Sequence, residues 1–117
     1  MQQQIPIRAK PNRRGTQRKR PRMTVRVECR RGSLGFGPNI ADGFLDLSES
    51  GLRLILKTPL PLQQEVEILL TGYGVARPVR RLATVCWSLP LEDGRFCTGL
   101  CFDKRLLFRE VQQLTVG

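Results

Sequence analysis

Hydrophobic and polar residues alternate with a period of two along most of the chain. From Met23 onward, Met23, Val25, Val27 and Cys29 fall on one face, with Thr24, Arg26, Glu28 and Arg30 on the other. That period predicts a strand with one buried side. Residues 32–43 are rich in glycine, proline and asparagine and predict a loop. Strands are predicted at residues 44–48 and 52–57, joined by Glu49-Ser50-Gly51. In the second, Leu52, Leu54 and Leu56 alternate with Arg53, Ile55 and Lys57.

Thr58-Pro59-Leu60-Pro61 interrupts the pattern, because proline cannot donate to a sheet ladder. Residues 65–71 follow as a strand with Val66, Ile68 and Leu70 inward. A longer strand is predicted over 79–88, a hairpin over 89–94, and a further strand over 95–103. Leu107, Val111 and Leu114, spaced at i, i+4 and i+7, predict a short amphipathic helix. The fold class is therefore all-β: about six short antiparallel strands and one terminal helix. A closed or nearly closed barrel is expected, since closure removes exposed strand edges.

Charge divides the chain unevenly. Net charge is +10 over 117 residues, and residues 1–31 hold eleven of the twenty basic groups but one acid, Glu28. Residues 32–117 balance at nine and nine. The excess predicts a localised anionic partner. Residues 1–17, polar, basic and broken by Pro6, Pro11 and Gly15, are expected to form a flexible N-terminal arm, with residues 18–117 as the barrel domain. No apolar run reaches the length of about 20 residues that a membrane helix needs. The N-terminus does not resemble a secretion signal, so a cytoplasmic location is expected.

The glycines at 32–43 suggest a phosphate-binding loop, but such loops open onto a helix and no helical pattern comes after them. The four cysteines, Cys29, Cys86, Cys97 and Cys101, include no C-x-x-C pair, and the chain has no histidine. They are expected to be small, partly buried hydrophobes in a reducing compartment. Without histidine, a nucleophile–base pair or a metal cluster, an enzyme is not expected, and neither is a metal or cofactor.

Two features carry chemistry. Arg18-Lys19-Arg20-Pro21-Arg22 stands at the mouth of the first strand, and Asp46-Leu47-Ser48-Glu49-Ser50-Gly51 joins the second strand to the third. On a strand, Asp46 and Ser48 share a face and offer a carboxylate acceptor and a hydroxyl. At Gly51 a positive φ or a close backbone approach would exclude a side chain. Arginine pairs with phosphate, or with O6 and N7 of guanine, through a fork of parallel hydrogen bonds. It also stacks on bases. A carboxylate accepts from guanine N1 and N2. The combination suits a guanine nucleotide carrying phosphates. Arg26, Arg53 and Arg80 are expected on exposed strand faces.

At these residues the chain resembles the PilZ domain family, whose pattern is R-x-x-x-R before the first strand and (D/N)-x-S-x-x-G after the second. Arg81-Leu-Ala-Thr-Val-Cys-Trp87 and Gly94-Arg-Phe-Cys-Thr-Gly-Leu-Cys-Phe102 resemble the family's later strands, and the likeness covers about residues 18–110. The resemblance implies a six-stranded barrel that binds cyclic di-GMP, the bacterial second messenger. It implies that Arg18 and Arg22 hold phosphates and a guanine Hoogsteen edge, that Asp46 and Ser48 read the guanine, and that Gly51 lets the turn approach it. Trp87 occupies a strand position that can lie beside a base. Lys19 adds charge within the first motif. Arg14-Gly-Thr-Gln-Arg18 also fits R-x-x-x-R, though Arg18 and Arg22 abut the strand as in similar sequences. Gln17 stands where relatives that bind two intercalated ligands tend to have a basic residue, so one ligand or two stays open.

The expected mechanism is ordering of the basic segment. Repulsion among Arg13, Arg14, Arg18, Lys19, Arg20 and Arg22 would keep it extended until the ligand's phosphates fold it over the barrel and signal to a downstream protein partner. Two rivals compete with this reading. A nucleic-acid-binding barrel fits the basic arm but is short of stacking residues, with five Phe, one Tyr and one Trp. An adaptor barrel that contacts only proteins would not need both motifs intact.

Overall fold

The computed structural model describes residues 17–116. Six antiparallel strands form one sheet: β1 (Val25–Arg31), β2 (Ala41–Leu47), β3 (Gly51–Leu56), β4 (Glu65–Gly72), β5 (Val79–Pro90) and β6 (Phe96–Phe102). A helix, α1 (Phe108–Leu114), comes last. The strand order is β1-β4-β5-β6-β3-β2. The sheet curls into a nearly closed barrel, and the all-β expectation holds.

The inward rows match the alternation. Leu52, Leu54 and Leu56 from β3, Val66, Ile68 and Leu70 from β4, and Val85 and Leu100 from β5 and β6 are all buried, together with Cys29 and Leu47. Burial of an aliphatic side chain of this size contributes about 1.5–3 kcal/mol, so these rows account for much of the barrel's stability. Strands β1 and β2 end the sheet. The seam between them is bridged by Asn39, whose side-chain oxygen accepts from the N–H groups of Cys29 (2.8 Å) and Ala41 (3.0 Å). Ile40 N–H donates to Cys29 O at 2.9 Å.

Several expectations are corrected. Met23 is not an inward strand residue: it sits in a turn and is fully exposed. That turn is closed by Val25 N–H donating to Arg22 O at 3.0 Å. Leu107 precedes α1 and is exposed, so only Val111 and Leu114 face the core. The Glu110 carboxylate accepts from Leu107 N–H at 2.8 Å and from Arg81 on β5 at 2.9 Å, which ties the start of α1 to the barrel. Strand β2 begins at Ala41, inside the stretch expected as loop, and β5 continues through Pro90.

The cysteines divide. Cys29 is buried, and desolvation pushes its thiol up to about 12. Cys86 and Cys101, expected as free thiols, form a disulfide on the outer face, with Cα atoms 6.3 Å apart. The pairing of β5 with β6 shifts register between Val85 and Trp87. The extra residue of such a bulge turns Cys86 outward beside Trp87, toward Cys101 on the neighbouring strand.

Residues 1–16, which hold most of the basic arm and Arg14, lie outside the described residues. The segment from Lys19 to Arg22 is docked on the barrel. Lys19 exchanges backbone hydrogen bonds with Leu47 at 2.8 and 2.9 Å, adding a bridge to the free edge of β2. Val116 N–H donates to Arg20 O and Arg22 N–H to Leu114 O, each at 2.9 Å. Charge repulsion therefore does not hold this segment off the barrel. The edge of β2 and the residues at the end of α1 supply backbone partners that outweigh it.

Candidate functional site

The site grows from a second register shift. On β2 the pairing with β3 slips between Phe44 and Asp46. Phe44 packs against the core while Leu47 is buried beyond it. The extra residue, Leu45, lets Asp46 turn outward without breaking that inward row. Asp46 pairs in register with Arg53 on β3, Arg53 with Gly99 on β6, and Gly99 with Trp87 on β5. These four residues form one transverse row on the outer face, with steps of about 4.8 Å between strands.

At one end of the row, Arg53 Nε donates to Asp46 Oδ2 at 2.8 Å, and its Nη2 reaches the same oxygen. The other carboxylate oxygen, Oδ1, accepts from Arg18 Nη1 at 3.3 Å. Asp46 is thus covered by two guanidinium groups and only 7% exposed. The bond to Asp46 holds Arg53 protonated even more firmly than usual, against an opposing contribution from burial. Arg53 lies on the outer strand face as expected, with its side chain 38% exposed. The register of the β2–β3 hairpin also makes it the partner of Asp46.

At the other end the Trp87 indole lies over Gly99, where an added Cβ would fall 2.2 Å from Nε1. Gly51 is needed for a similar reason: its Cβ would fall 2.1 Å from Leu100 O. Of the two explanations available for this glycine, the structure supports close backbone approach, since its φ is not positive. Ser48 Oγ lies 3.2 Å from Ser50 Oγ and accepts from Ser50 N–H at 3.3 Å, which shapes the turn. Arg18, Ser48, Ser50, Gly51, Trp87, Gly99 and the Cys86–Cys101 disulfide surround one concavity. It holds about 50 Å³, against the roughly 300 Å³ or more of a pocket that encloses a small molecule. A ligand would lie across this face with one edge seated in the hollow.

The remaining expected residues stand elsewhere. Arg22 turns to the end of α1, where Nε donates to Thr115 O at 3.0 Å and Nη2 to Gln112 O at 3.2 Å. A cation on these terminal carbonyls also suits the helix dipole. Gln17 and Lys19 line a neighbouring groove with Glu49, Phe108 and Val111. The structure therefore gathers Arg18, Asp46, Ser48, Gly51 and Trp87, and leaves Arg22, Gln17 and Lys19 on the flank nearer α1. Sequence reasoning missed Arg53, Ser50, Gly99, Cys86 and Cys101. Arg53 had a signal: it and Asp46 are equidistant from the turn between Leu47 and Leu52, as cross-strand partners in a hairpin must be. Among the described residues no three potential metal ligands cluster, and no helix is long and apolar enough to cross a membrane.

Arginine, carboxylate, hydroxyl turn and indole thus stand together on one side of a small antiparallel barrel. The chain is a member of the PilZ domain family, whose model matches residues 12–115, nearly its whole length. PilZ domains are a family of cyclic di-GMP-binding domains that act in binding and as adaptors. No curated protein and no solved structure matches the chain.

Proposed function

We propose that this chain is a bacterial cyclic di-GMP receptor that binds the dinucleotide across the outer face of β2, β3, β5 and β6. The observation that carries the reading is the convergence of Arg18, Ser48, Gly51 and Trp87 on one concavity, with Asp46 bound to Arg18 beside it, in a chain of this family. Arg18 grips a phosphate or the Hoogsteen edge of a guanine through its guanidinium fork. Asp46 accepts from guanine N1 and N2, and the Ser48 turn completes the polar rim. Trp87 supplies an apolar flat surface beside a base. Arg22 joins Arg18 on the ligand by leaving the carbonyls at the end of α1. Lys19, Gln17 and Arg14 contribute more weakly.

Signalling depends on what these arginines give up. Arg18 is tied to Asp46 and Arg22 to Thr115 at the end of α1. Drawing both onto phosphates loosens the junction between the first motif and the helix α1. That altered surface is what a downstream protein partner reads. Each charge-assisted hydrogen bond contributes about 1.5–3 kcal/mol, enough for micromolar affinity after the cost of ordering.

Titration calorimetry of the purified chain with cyclic di-GMP, against GTP and GMP, tests the reading. Saturable binding of the cyclic dinucleotide alone is expected, with Arg18→Ala and Asp46→Ala each losing at least tenfold in affinity, about the loss of one good bidentate contact. No heat at high micromolar ligand in moderate salt overturns it.

A further inference from the structure

The two oxygens of Asp46 are not equivalent. Oδ2 receives two donors from one arginine, Nε and Nη2 of Arg53, in a cross-strand pair set by the β2–β3 register. Among the described residues, Oδ1 has only Arg18 Nη1, at 3.3 Å, from a side chain that is 43% exposed. One oxygen is held by the barrel itself and the other by a longer contact from a partly exposed side chain. A hydrogen bond of that length is weak, so Oδ1 is the exchangeable position.

We propose that Arg53 is the positioning residue for base recognition: it fixes the Asp46 carboxylate so that Oδ1 faces the ligand and is exchanged from Arg18 to a guanine donor. This rests on the cyclic di-GMP reading above. Guanine presents N1–H and N2–H donors to a carboxylate, whereas adenine presents an acceptor at N1 and is repelled. Without Arg53, the carboxylate is free to turn and take Arg18 in a two-pronged pair. Both consequences oppose binding of the right base. Asp46 loses the orientation that separates guanine from adenine, and Arg18 is held back from phosphate.

The transverse row supports the assignment. Arg53 stands between Asp46 on one side and Gly99, under the Trp87 indole, on the other. It joins the acceptor to the aromatic surface that a base would use, and it belongs to the sheet and not to a loop. A group that must hold an orientation to within tens of degrees is best carried by such a rigid element.

The test is the preference for cyclic di-GMP over cyclic di-AMP, measured by calorimetry for the wild type, Arg53→Ala and Arg53→Lys, and for both Asp46→Asn and the Asp46→Asn/Arg53→Ala double variant. Melting temperatures identify any chain that fails to fold. A merely structural role would weaken both ligands alike and leave their ratio unchanged. The expected result is a fall in the guanine preference of about tenfold in Arg53→Ala, the scale of one specific base contact. Arg53→Lys, which keeps the charge but not the fork, should fall between it and the wild type. Arg53→Ala should have no further effect on the preference once Asp46 is Asn. An unchanged preference in Arg53→Ala, or a full additional loss in the double variant, overturns the role of Arg53 while leaving the receptor intact. A wild type that binds neither dinucleotide overturns the receptor reading and this assignment with it.

Discussion

The Trp87 indole rests on the backbone of Gly99 so closely that a Cβ there would meet Nε1 at 2.2 Å and Cε2 at 2.3 Å. The glycine is what allows the ring to lie flat against β6 beside the concavity. Trp87 is also the one tryptophan in the chain, so its emission reports on this site alone. Cyclic di-GMP is expected to quench and shift that emission saturably. Gly99→Ala should displace the ring, raise its exposure and weaken binding by about tenfold, the loss of a base-stacking contact. Fluorescence titration of both chains checks this; identical spectra would remove Trp87 from the site.

Gly51 supports the site through the main chain. A Cβ at this position would fall 2.1 Å from Leu100 O and 3.3 Å from Cys101 Cα, atoms that cannot swing aside as a side chain can. Gly51→Ala is therefore expected to push β3 and β6 apart and cost about 2–3 kcal/mol, in the range of overpacked cores. Thermal unfolding should show a drop of roughly 10 °C for a domain of this size. A wild-type melting temperature would contradict the close approach.

The Cys86–Cys101 disulfide joins β5 to β6 at the edge of the concavity, closing a sequence separation of 15 residues. A cross-link over that distance contributes up to about 3 kcal/mol. Reduction with dithiothreitol should lower the melting temperature, and a Cys86→Ser/Cys101→Ser variant should match the reduced wild type. Because the disulfide lies next to Trp87, reduction should also raise tryptophan emission. Mass spectrometry after thiol alkylation counts the cysteines: two labelled in unfolded unreduced protein, and four after reduction.

Cys29 gives the barrel a pH dependence of known sign. Burial raises its thiol from about 9 to about 12, so between those values the unfolded chain has lost a proton that the folded chain keeps. Stability is unaffected by this group below pH 9 and falls by about 1.4 kcal/mol per pH unit above it, levelling near pH 12. Urea unfolding at pH 8 and pH 10 should show the loss, and Cys29→Val should reduce it. An equal slope in the variant would assign the alkaline decline to other groups.

How much of this could be read without coordinates depends on how local each feature is. Leu52, Leu54 and Leu56, and likewise Val66, Ile68 and Leu70, are buried as their alternation predicts, since side-chain direction along a strand is set by its pleat. Asp46, Ser48 and Gly51 stand together because one tight turn joins them. Met23 and Leu107 fit the same periodicities and still depart from them, each lying at the end of an element where a turn takes over.

The chain's residues alone therefore determined the strand count, the inward rows, the asymmetry of charge and the turn that carries Asp46. Tertiary structure decided the rest. The bulges at Leu45 and Cys86 choose which side chains reach the outer face, and they exist only once neighbouring strands are aligned. Arg22 finds Thr115 across 93 positions, and Cys86 finds Cys101 across 15. Contacts of that kind depend on register and closure of the sheet, which no short window of residues contains.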